Sequence, residues 1–348
     1  MDKQKQIEEI EENRVADMNK YIGLYDVDSV NFPNLALMKI SAYHKQQGDH
    51  VEMLYTSRME YDKIYVSKVF SDEYSKMEIS PAMLEMTAKE VVYGGTGFAI
   101  TVEKRKEVYA KDSDGELPPE IEHVYPDYSL YPELTKGKAY GFLTRGCPNN
   151  CSFCVVTPKE GRCTVKVADL SEWWNGQNEI ILMDANILAC RDRVSLLNQL
   201  ADSGVRVDFT QGLDARFCTE AVCEVLKRIK VSRVHFAFDF LENEKAIIQG
   251  LKNYIRICKP REDKTSVYIL TNYDTTFEQD LYRVKMVQSL GIRPDIRIYR
   301  KNTAPKITRW LQRWCNNRII YESQKDFMEY IPTSNGKTIR EYLQEGQQ

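Results

Sequence analysis

The chain has 348 residues, of which 43% are hydrophobic and 28% are charged. This composition is that of a globular protein, long enough for two domains or for one α/β barrel with an extension. A net charge of −3 excludes a polycation built to coat nucleic acid, so any such contact must come from a local patch. No apolar run approaches the roughly 18 residues that span a bilayer, so we expect no membrane span.

The N-terminal segment 1–19 is charged and has no apolar signal core, which predicts a solvated helix or a frayed tail. The chain contains nine cysteines. An odd count without a signal core favours reduced thiols over a disulfide framework. We therefore expect a cytoplasmic protein.

Strands and helices alternate over residues 20–100, which predicts a small parallel sheet of Rossmann type. The Gly94–Gly97 cluster that follows its last strand lacks the lysine of a P-loop, so a tight turn is favoured over a phosphate site. The predicted elements are strands at 21–27, 50–55, 62–70 and 91–95, with helices from Leu35 to a stop at Gly48 and over 81–90.

Residues 101–138 are rich in proline and poor in periodic apolar positions, so they are predicted to be a linker whose tyrosines and prolines pack on a surface. A βα rhythm begins at residue 139 and continues to residue 300, while 301–348 form a C-terminal extension. The rhythm predicts an α/β protein whose second domain is a partial (β/α)6 TIM-type barrel. Its predicted strands are 139–144, 179–184, 205–210, 233–239, 266–271 and 295–300, and the helices 194–204 and 281–291 end in glycine.

Three cysteines, Cys147, Cys151 and Cys154, follow the first of these strands with gaps of three and two residues. Barrel enzymes keep their chemistry in such loops at the carboxyl ends of the strands. Zinc sites commonly use four ligands, and no histidine lies nearby in sequence. Iron–sulfur clusters are ordinarily held by four thiolates. Three thiolates would leave one iron open to a ligand.

The Cys-x3-Cys-x2-Cys spacing in GFLTRGCPNNCSFCVV, after the first strand of a partial barrel, resembles the radical S-adenosylmethionine superfamily. The resemblance covers about 139–300 and includes Arg145-Gly146 and Phe153. It implies that the three cysteines ligate a [4Fe–4S] cluster whose fourth iron chelates S-adenosylmethionine. It also implies an electron donor such as flavodoxin or ferredoxin, reductive cleavage to a 5′-deoxyadenosyl radical, and hydrogen abstraction from a substrate.

The resemblance places Phe153 near the adenine of S-adenosylmethionine. It also implies further contacts at the ends of later strands, where polar side chains converge on one cavity. Arg216 could pair with the ligand's carboxylate, and Asp184 could accept from its amine. No GGE triplet follows the second strand, and MDAN (183–186) stands there instead. The candidates are Asp184, Asn186, Gln211, Asp214, Arg216, Asp239, Asn272, Tyr273 and Asp274.

The order of a Rossmann-like domain, a linker and a barrel also resembles the cobalamin-binding branch of this superfamily, and more loosely the methylthiotransferase-like branch. The Asp-x-His-x-x-Gly loop of the cobalamin branch is missing, because Asp26 and Asp28 are not followed by a histidine. Cobalamin is therefore a secondary expectation. The alternative functions are a cobalamin-dependent radical methyltransferase and a methylthiotransferase-like RNA-modifying enzyme.

The stretch 293–318 carries eight basic residues and one acidic residue, together with Trp310 and Trp314. It could bind a nucleic-acid substrate. The helical spacing of the tryptophans favours the alternative that they pack on the barrel while the arginines stay solvated. The other six cysteines could hold a second cluster, but buried thiols are favoured. Cys218 and Cys223, the closest pair, lie in or beside one predicted helix and are expected on different faces of it. A non-catalytic protein that binds metal or nucleic acid is the alternative from another class.

Overall fold

The computed structural model describes residues 19–54, 60–103, 106–110 and 115–345, so the predicted N-terminal tail lies almost wholly outside the described residues. The described chain forms two compact units. The first comprises the residues up to Gly141 with Pro148–Arg162 and Ala168–Asn178. The second comprises Phe142–Cys147, Cys163–Val167 and the residues from Glu179 onward.

The first unit contains a four-stranded parallel sheet in the order β2-β1-β3-β4. Every strand predicted between residues 20 and 100 is confirmed, with ends shifted by a few residues. The strands are β1 (Tyr21–Asp26), β2 (His50–Met53), β3 (Tyr61–Ser67) and β4 (Ala88–Gly94), and the helices are α1 (Leu35–Gln46), α2 (Pro81–Thr87) and α3 (Thr96–Ala99).

Apolar side chains that alternate along the strands form two buried clusters against this sheet. Ile22 and Leu24 of β1 pack against Leu37 and Ile40 of α1. Helix α1 begins where the Asn34 side chain accepts from the Leu37 N–H, which satisfies one of the free donors of the first turn. A second cluster contains Tyr25, Tyr61, Ile64, Val66 and Leu84.

The Gly94–Gly97 cluster is a tight turn, as predicted. Gly95 has a φ of +98°, which only glycine adopts readily. The Gly97 N–H donates to the Lys68 carbonyl at 2.9 Å. A Cβ on Gly97 would lie 2.3 Å from the carbonyl oxygen of Phe70, so the glycine permits close packing of two loops.

Residues 101–138, predicted to be a linker, fall within the first unit. Asp127 accepts from Ser41 at 2.7 Å and pairs with Lys45 at 2.6 Å, which fastens the segment to α1. The segment also carries short elements: β5 (Ile100–Glu103), β6 (Lys106–Tyr109), α4 (Pro119–Glu122) and α5 (Pro132–Thr135). It therefore has more regular structure than its proline content suggested.

A six-stranded sheet has the order β14-β13-β12-β11-β10-β7, and each of the six predicted strands contributes to it. The α/β class with parallel sheets is thereby confirmed. Its strands are β7 (Lys138–Gly141), β10 (Glu179–Leu182), β11 (Arg206–Leu213), β12 (Lys230–Ala237), β13 (Thr265–Thr271) and β14 (Arg293–Ile298). A separate ribbon pairs β8 (Thr144–Arg145) with β9 (Val165–Lys166) in antiparallel fashion.

The remaining helices lie between or after these strands along the chain. They are α6 (Val156–Glu160), α7 (Arg193–Asp202), α8 (Glu220–Leu226), α9 (Glu244–Cys258), α10 (Phe277–Ser289), α11 (Lys306–Asn316), α12 (Arg318–Ser323) and α13 (Ile339–Glu345). Gly204 and Gly291 follow α7 and α10 with φ values of +67° and +73°, as the glycine-terminated patterns predicted. Among the helices of the described residues, none is long and apolar enough to cross a membrane.

The tryptophans of the basic stretch pack against other aromatic rings, and the binding of a nucleic acid by this stretch stays a prediction. Trp314 is buried against Tyr321 and Phe327, and Trp310 lies 4.9 Å from the ring of Tyr342. The partners are other C-terminal aromatic rings. Arg309, in contrast, is exposed.

Gly250 in α9 is required for helix packing in the second unit. A Cβ on Gly250 would lie 1.7 Å from the carbonyl oxygen of Ala215. We expect Gly250→Ala to lower the free energy of unfolding by about 2 kcal/mol, because the backbone at Ala215 must move to admit the new methyl group. This cost exceeds the gain from the higher helix propensity of alanine. Urea denaturation followed by circular dichroism measures this. Lys252→Ala, at an exposed position of the same helix, should change stability by less than about 0.5 kcal/mol. Equal effects of the two substitutions would contradict the packing argument.

Candidate functional site

The loop that carries the cysteines starts and ends at the β8–β9 ribbon. Thr144 and Arg145 pair with Lys166 and Val165. Next to the ribbon, the Thr164 hydroxyl donates to the Gly146 carbonyl at 3.0 Å, and Gly146 has a φ of +87°. These contacts fix the backbone immediately before Cys147.

Asp184 accepts hydrogen bonds from Leu143 and Thr144, which lie just before this loop. The backbone N–H groups of Leu143 and Thr144 donate to its carboxylate at 2.8 and 2.7 Å, and the Thr144 hydroxyl donates at 2.5 Å. Burial raises the pKa of Asp184 to about 7, while the hydrogen bonds from Thr144 and Leu143 oppose that rise. The proposed contact of Asp184 with an amine remains a prediction, and the structure gives the carboxylate three donors of its own chain.

Four of the candidate residues lie together in the second unit. The Asn186 side-chain amide donates to the Cys147 sulfur at 3.6 Å and to the Asp214 carboxylate at 3.4 Å. Arg216 donates from Nε and Nη2 to the two oxygens of Asp214 at 2.9 and 2.6 Å. A connected set therefore runs from Cys147 through Asn186 and Asp214 to Arg216, with Asn243 accepting from Arg216 at 3.4 Å.

The carbonyl oxygen of the Asn186 side chain is buried and has no hydrogen-bond partner among the described residues. The residue is only 2% exposed. A buried acceptor without a donor costs about 1–3 kcal/mol, so such an atom is a place where a donor of a ligand would fit. It belongs to the same amide that contacts Cys147.

Cys151 and Cys154 belong to the first unit, and their segment forms a turn. The Cys154 N–H donates to the Cys151 carbonyl at 3.0 Å, and Asn150, just before, has a φ of +48°. The three loop thiols and Phe153 are half-buried. Within the described residues, no group of three or more His, Cys, Asp or Glu side chains has an arrangement that could hold a metal ion.

The remaining candidates stand in separate environments. Gln211 and Asp274 are exposed. Asp239 accepts from the Leu270 N–H at 2.9 Å, and burial raises its pKa. Asn272 has a φ of +60° and donates to the Tyr299 carbonyl at 2.7 Å, and the ring of Tyr273 packs edge-on to Tyr299 at 4.9 Å. Asp239 and Asn272 thus make local backbone contacts, and their binding role stays a prediction.

Cys218 and Cys223 are buried thiols of the second unit. Cys218 lies beside the helix, before α8 begins at Glu220, so the expected placement of the two cysteines on different faces of one helix does not apply. Hydrogen bonds from Cys218 and Cys258 lower the pKa of Cys223. The burial of Cys218 and Cys223 is confirmed.

The loop after β1, where a cobalamin-binding motif would begin, is engaged in local contacts. Asp26 accepts from the Ser29 N–H at 3.1 Å and from the Tyr131 hydroxyl. Asp28 accepts from the N–H groups of Val69 and Phe70 at 2.9 Å each. Both carboxylates thus stabilise loops of the first unit, and cobalamin binding stays a prediction.

Sequence reasoning missed Leu143, Thr144 and Asn243 as partners of the site. Backbone donors such as Leu143 carry no side-chain signal, and Asn243 lies beyond the ends of the predicted strands.

No protein-family model matches this chain, and a search of curated proteins finds no similar sequence.

Proposed function

We propose that this chain is a radical S-adenosylmethionine enzyme in which Cys147, Cys151 and Cys154 hold a [4Fe–4S] cluster. The proposal includes a Rossmann-like domain over 20–100 and a partial barrel over 139–300. The observation that carries it is the buried Asn186 amide, which reaches the Cys147 sulfur with its nitrogen and offers its oxygen without a partner among the described residues. An acceptor beside a cluster ligand suits the ammonium group of S-adenosylmethionine.

The residue types of the proposed ligands also suit an iron–sulfur cluster. The three thiols, at spacings of three and two residues, can supply three thiolates, and iron–sulfur clusters favour thiolate ligands. The Asn186 N–H next to Cys147 stabilises negative charge on that sulfur. With S-adenosylmethionine bound, the reduced cluster supplies an electron that cleaves the sulfonium to methionine and a 5′-deoxyadenosyl radical.

Residues of this chain bind and orient the ligand in the proposal. The Asn186 oxygen accepts from the ammonium group. Asp214 holds the Arg216 guanidinium through two hydrogen bonds, which orients it for the ligand's carboxylate. Asp184 is a positioning residue, because it fixes Leu143 and Thr144 just before the cysteine loop. A reduced flavodoxin or ferredoxin in a cytoplasm would deliver the electron.

The test is electron paramagnetic resonance of the anaerobically reconstituted, reduced protein. We expect S-adenosylmethionine to change the spectrum, because the ligand occupies the open iron. Asn186→Ala should keep the cluster. About tenfold more S-adenosylmethionine should then be needed to change the spectrum, because one hydrogen bond to a charged group is lost. Asn302→Ala, at an exposed asparagine, is the control and should behave as wild type. A wild-type spectrum that S-adenosylmethionine leaves unchanged would refute the proposal.

A further inference from the structure

Helix α9 packs along the segment 215–223 in a continuous row of contacts. The Asn253 side-chain amide donates to the Cys218 carbonyl oxygen at 3.0 Å. Further along both segments, the Cys258 thiol donates to the Cys223 carbonyl oxygen at 3.4 Å. The row brings together three cysteines that no step of the proposed function uses.

The start of α8 explains why Cys218 and Cys223 are in contact. Thr219 is the N-cap of this helix, and its side chain accepts from the Val222 N–H at 3.3 Å. The residue before an N-cap commonly packs against the fourth residue of the helix. In α8 these two positions are Cys218 and Cys223, and a hydrogen bond joins their side chains. The contact therefore follows from the cap and not from helical periodicity.

Cys258, the last residue of α9, is the second partner of Cys223. Its S–H has two acceptors on Cys223, the backbone carbonyl oxygen and the side-chain sulfur. Hydrogen bonds from Cys218 and Cys258 lower the pKa of Cys223, and the hydrogen bond to Cys223 raises the pKa of Cys258. Cys223 is therefore the thiolate of the group, and a thiolate is the nucleophilic form of cysteine.

The three sulfur atoms differ in their access to solvent. Cys218 and Cys223 are 1% and 0% exposed, whereas Cys258 is half-buried. A small oxidant from solvent therefore reaches Cys258 first, and the Cys223 thiolate lies directly behind it. A sulfur that is oxidised next to a second thiolate condenses with it to a disulfide.

We propose that Cys223 and Cys258 are a modification site, at which hydrogen peroxide forms a reversible disulfide between α8 and α9. The Cys258 sulfur attacks one peroxide oxygen, the O–O bond breaks, and water leaves with the thiol proton, so that Cys258 becomes a sulfenic acid. The Cys223 thiolate then attacks this sulfur and displaces hydroxide, which takes a proton from solvent. The two cysteines lose two electrons, and one peroxide becomes two water molecules.

The contacts also assign a role to Cys218 and set the pace of the reaction. Cys218 has the same thiolate neighbour as Cys258 but is closed to solvent, so it donates its S–H to Cys223 and stays reduced. Cys258 is held in its protonated form by the hydrogen bond to Cys223, and a thiol reacts with peroxide more slowly than a thiolate does. The site therefore responds to sustained and not to brief exposure to peroxide.

The test is peptide mapping by mass spectrometry of the full-length chain, treated with millimolar hydrogen peroxide and then alkylated in urea. Trypsin separates the two cysteines, because Cys223 lies in the peptide 217–227 and Cys258 lies in the peptide 257–261. We expect these peptides to be joined, with two hydrogens fewer than their sum, and dithiothreitol to release them. Cys163→Ser, which removes an exposed thiol outside this group, should leave the joined peptide unchanged.

Fragmentation of the joined peptide should show the bond on Cys223, with Cys218 alkylated. In Cys258→Ser, both Cys218 and Cys223 should remain reduced, because the accessible sulfur of the group is gone. Absence of the joined peptide from the wild type would overturn the inference, and so would a disulfide that includes Cys218 in either chain. The mapping needs no cluster, so its result is separate from that of S-adenosylmethionine cleavage.

Discussion

Cys151→Ala should lose nearly all of the iron that the wild-type chain takes up on anaerobic reconstitution. A [4Fe–4S] cluster corresponds to about four iron atoms per chain, and loss of one of three thiolate ligands leaves two anchors. We expect less than about one iron per chain in the variant, measured as protein-bound iron and as absorbance near the visible charge-transfer band. The same loss is expected for Cys147→Ala and Cys154→Ala.

The matched control is Cys163→Ala. Cys163 is an exposed free thiol shortly after the same loop, so it reports on non-specific iron binding by accessible cysteines. We expect it to retain wild-type iron. If Cys163→Ala loses as much iron as Cys151→Ala, the assignment of the three ligands is wrong.

Asp184→Ala should destabilise the second unit strongly. Its carboxylate accepts from two backbone N–H groups and one hydroxyl in a buried position. Removing it leaves these donors without an acceptor, which costs about 3 kcal/mol or more. Urea denaturation of the cluster-free protein measures the change. We also expect lower iron uptake, because Leu143 and Thr144 precede the cysteine loop.

Asp192→Ala is the control for this substitution. Asp192 is exposed and its side chain makes no capping hydrogen bond at the start of α7. Its loss should change the free energy of unfolding by less than about 0.5 kcal/mol. If Asp184→Ala is equally mild, Asp184 does not hold the loop.

Periodicity predicted the strands and helices because side-chain burial in this chain follows local sequence pattern. In β12, for example, Val234 and Phe236 are buried on one face while Arg233 and His235 occupy the other.

The end of β7 could not be predicted from local sequence. Residues 139–144 read as one strand, but β7 ends at Gly141 and Thr144 begins a separate ribbon. The Leu143 and Thr144 N–H groups donate to Asp184, about forty residues later in the chain. At Gly141 a Cβ would lie 2.2 Å from the Trp173 ring. Asp184 and Trp173, the two residues that these positions contact, are both distant from the strand end in sequence.

The candidate site was predicted in part. Strand-end reasoning identified Asn186, Asp214 and Arg216, which the structure brings together with Cys147. It did not foresee that the Asp184 carboxylate would be engaged by backbone donors. Sequence spacing specifies which residues follow a strand, whereas hydrogen-bond partners depend on where the backbone of other segments passes.

The most direct measurement is 5′-deoxyadenosine formation by the reconstituted protein with dithionite and S-adenosylmethionine under anaerobic conditions. We predict 5′-deoxyadenosine and methionine in equal amounts from the wild type, and none above background from Cys151→Ala. Formation of no more 5′-deoxyadenosine by the wild type than by Cys151→Ala would contradict a catalytic role for the three cysteines.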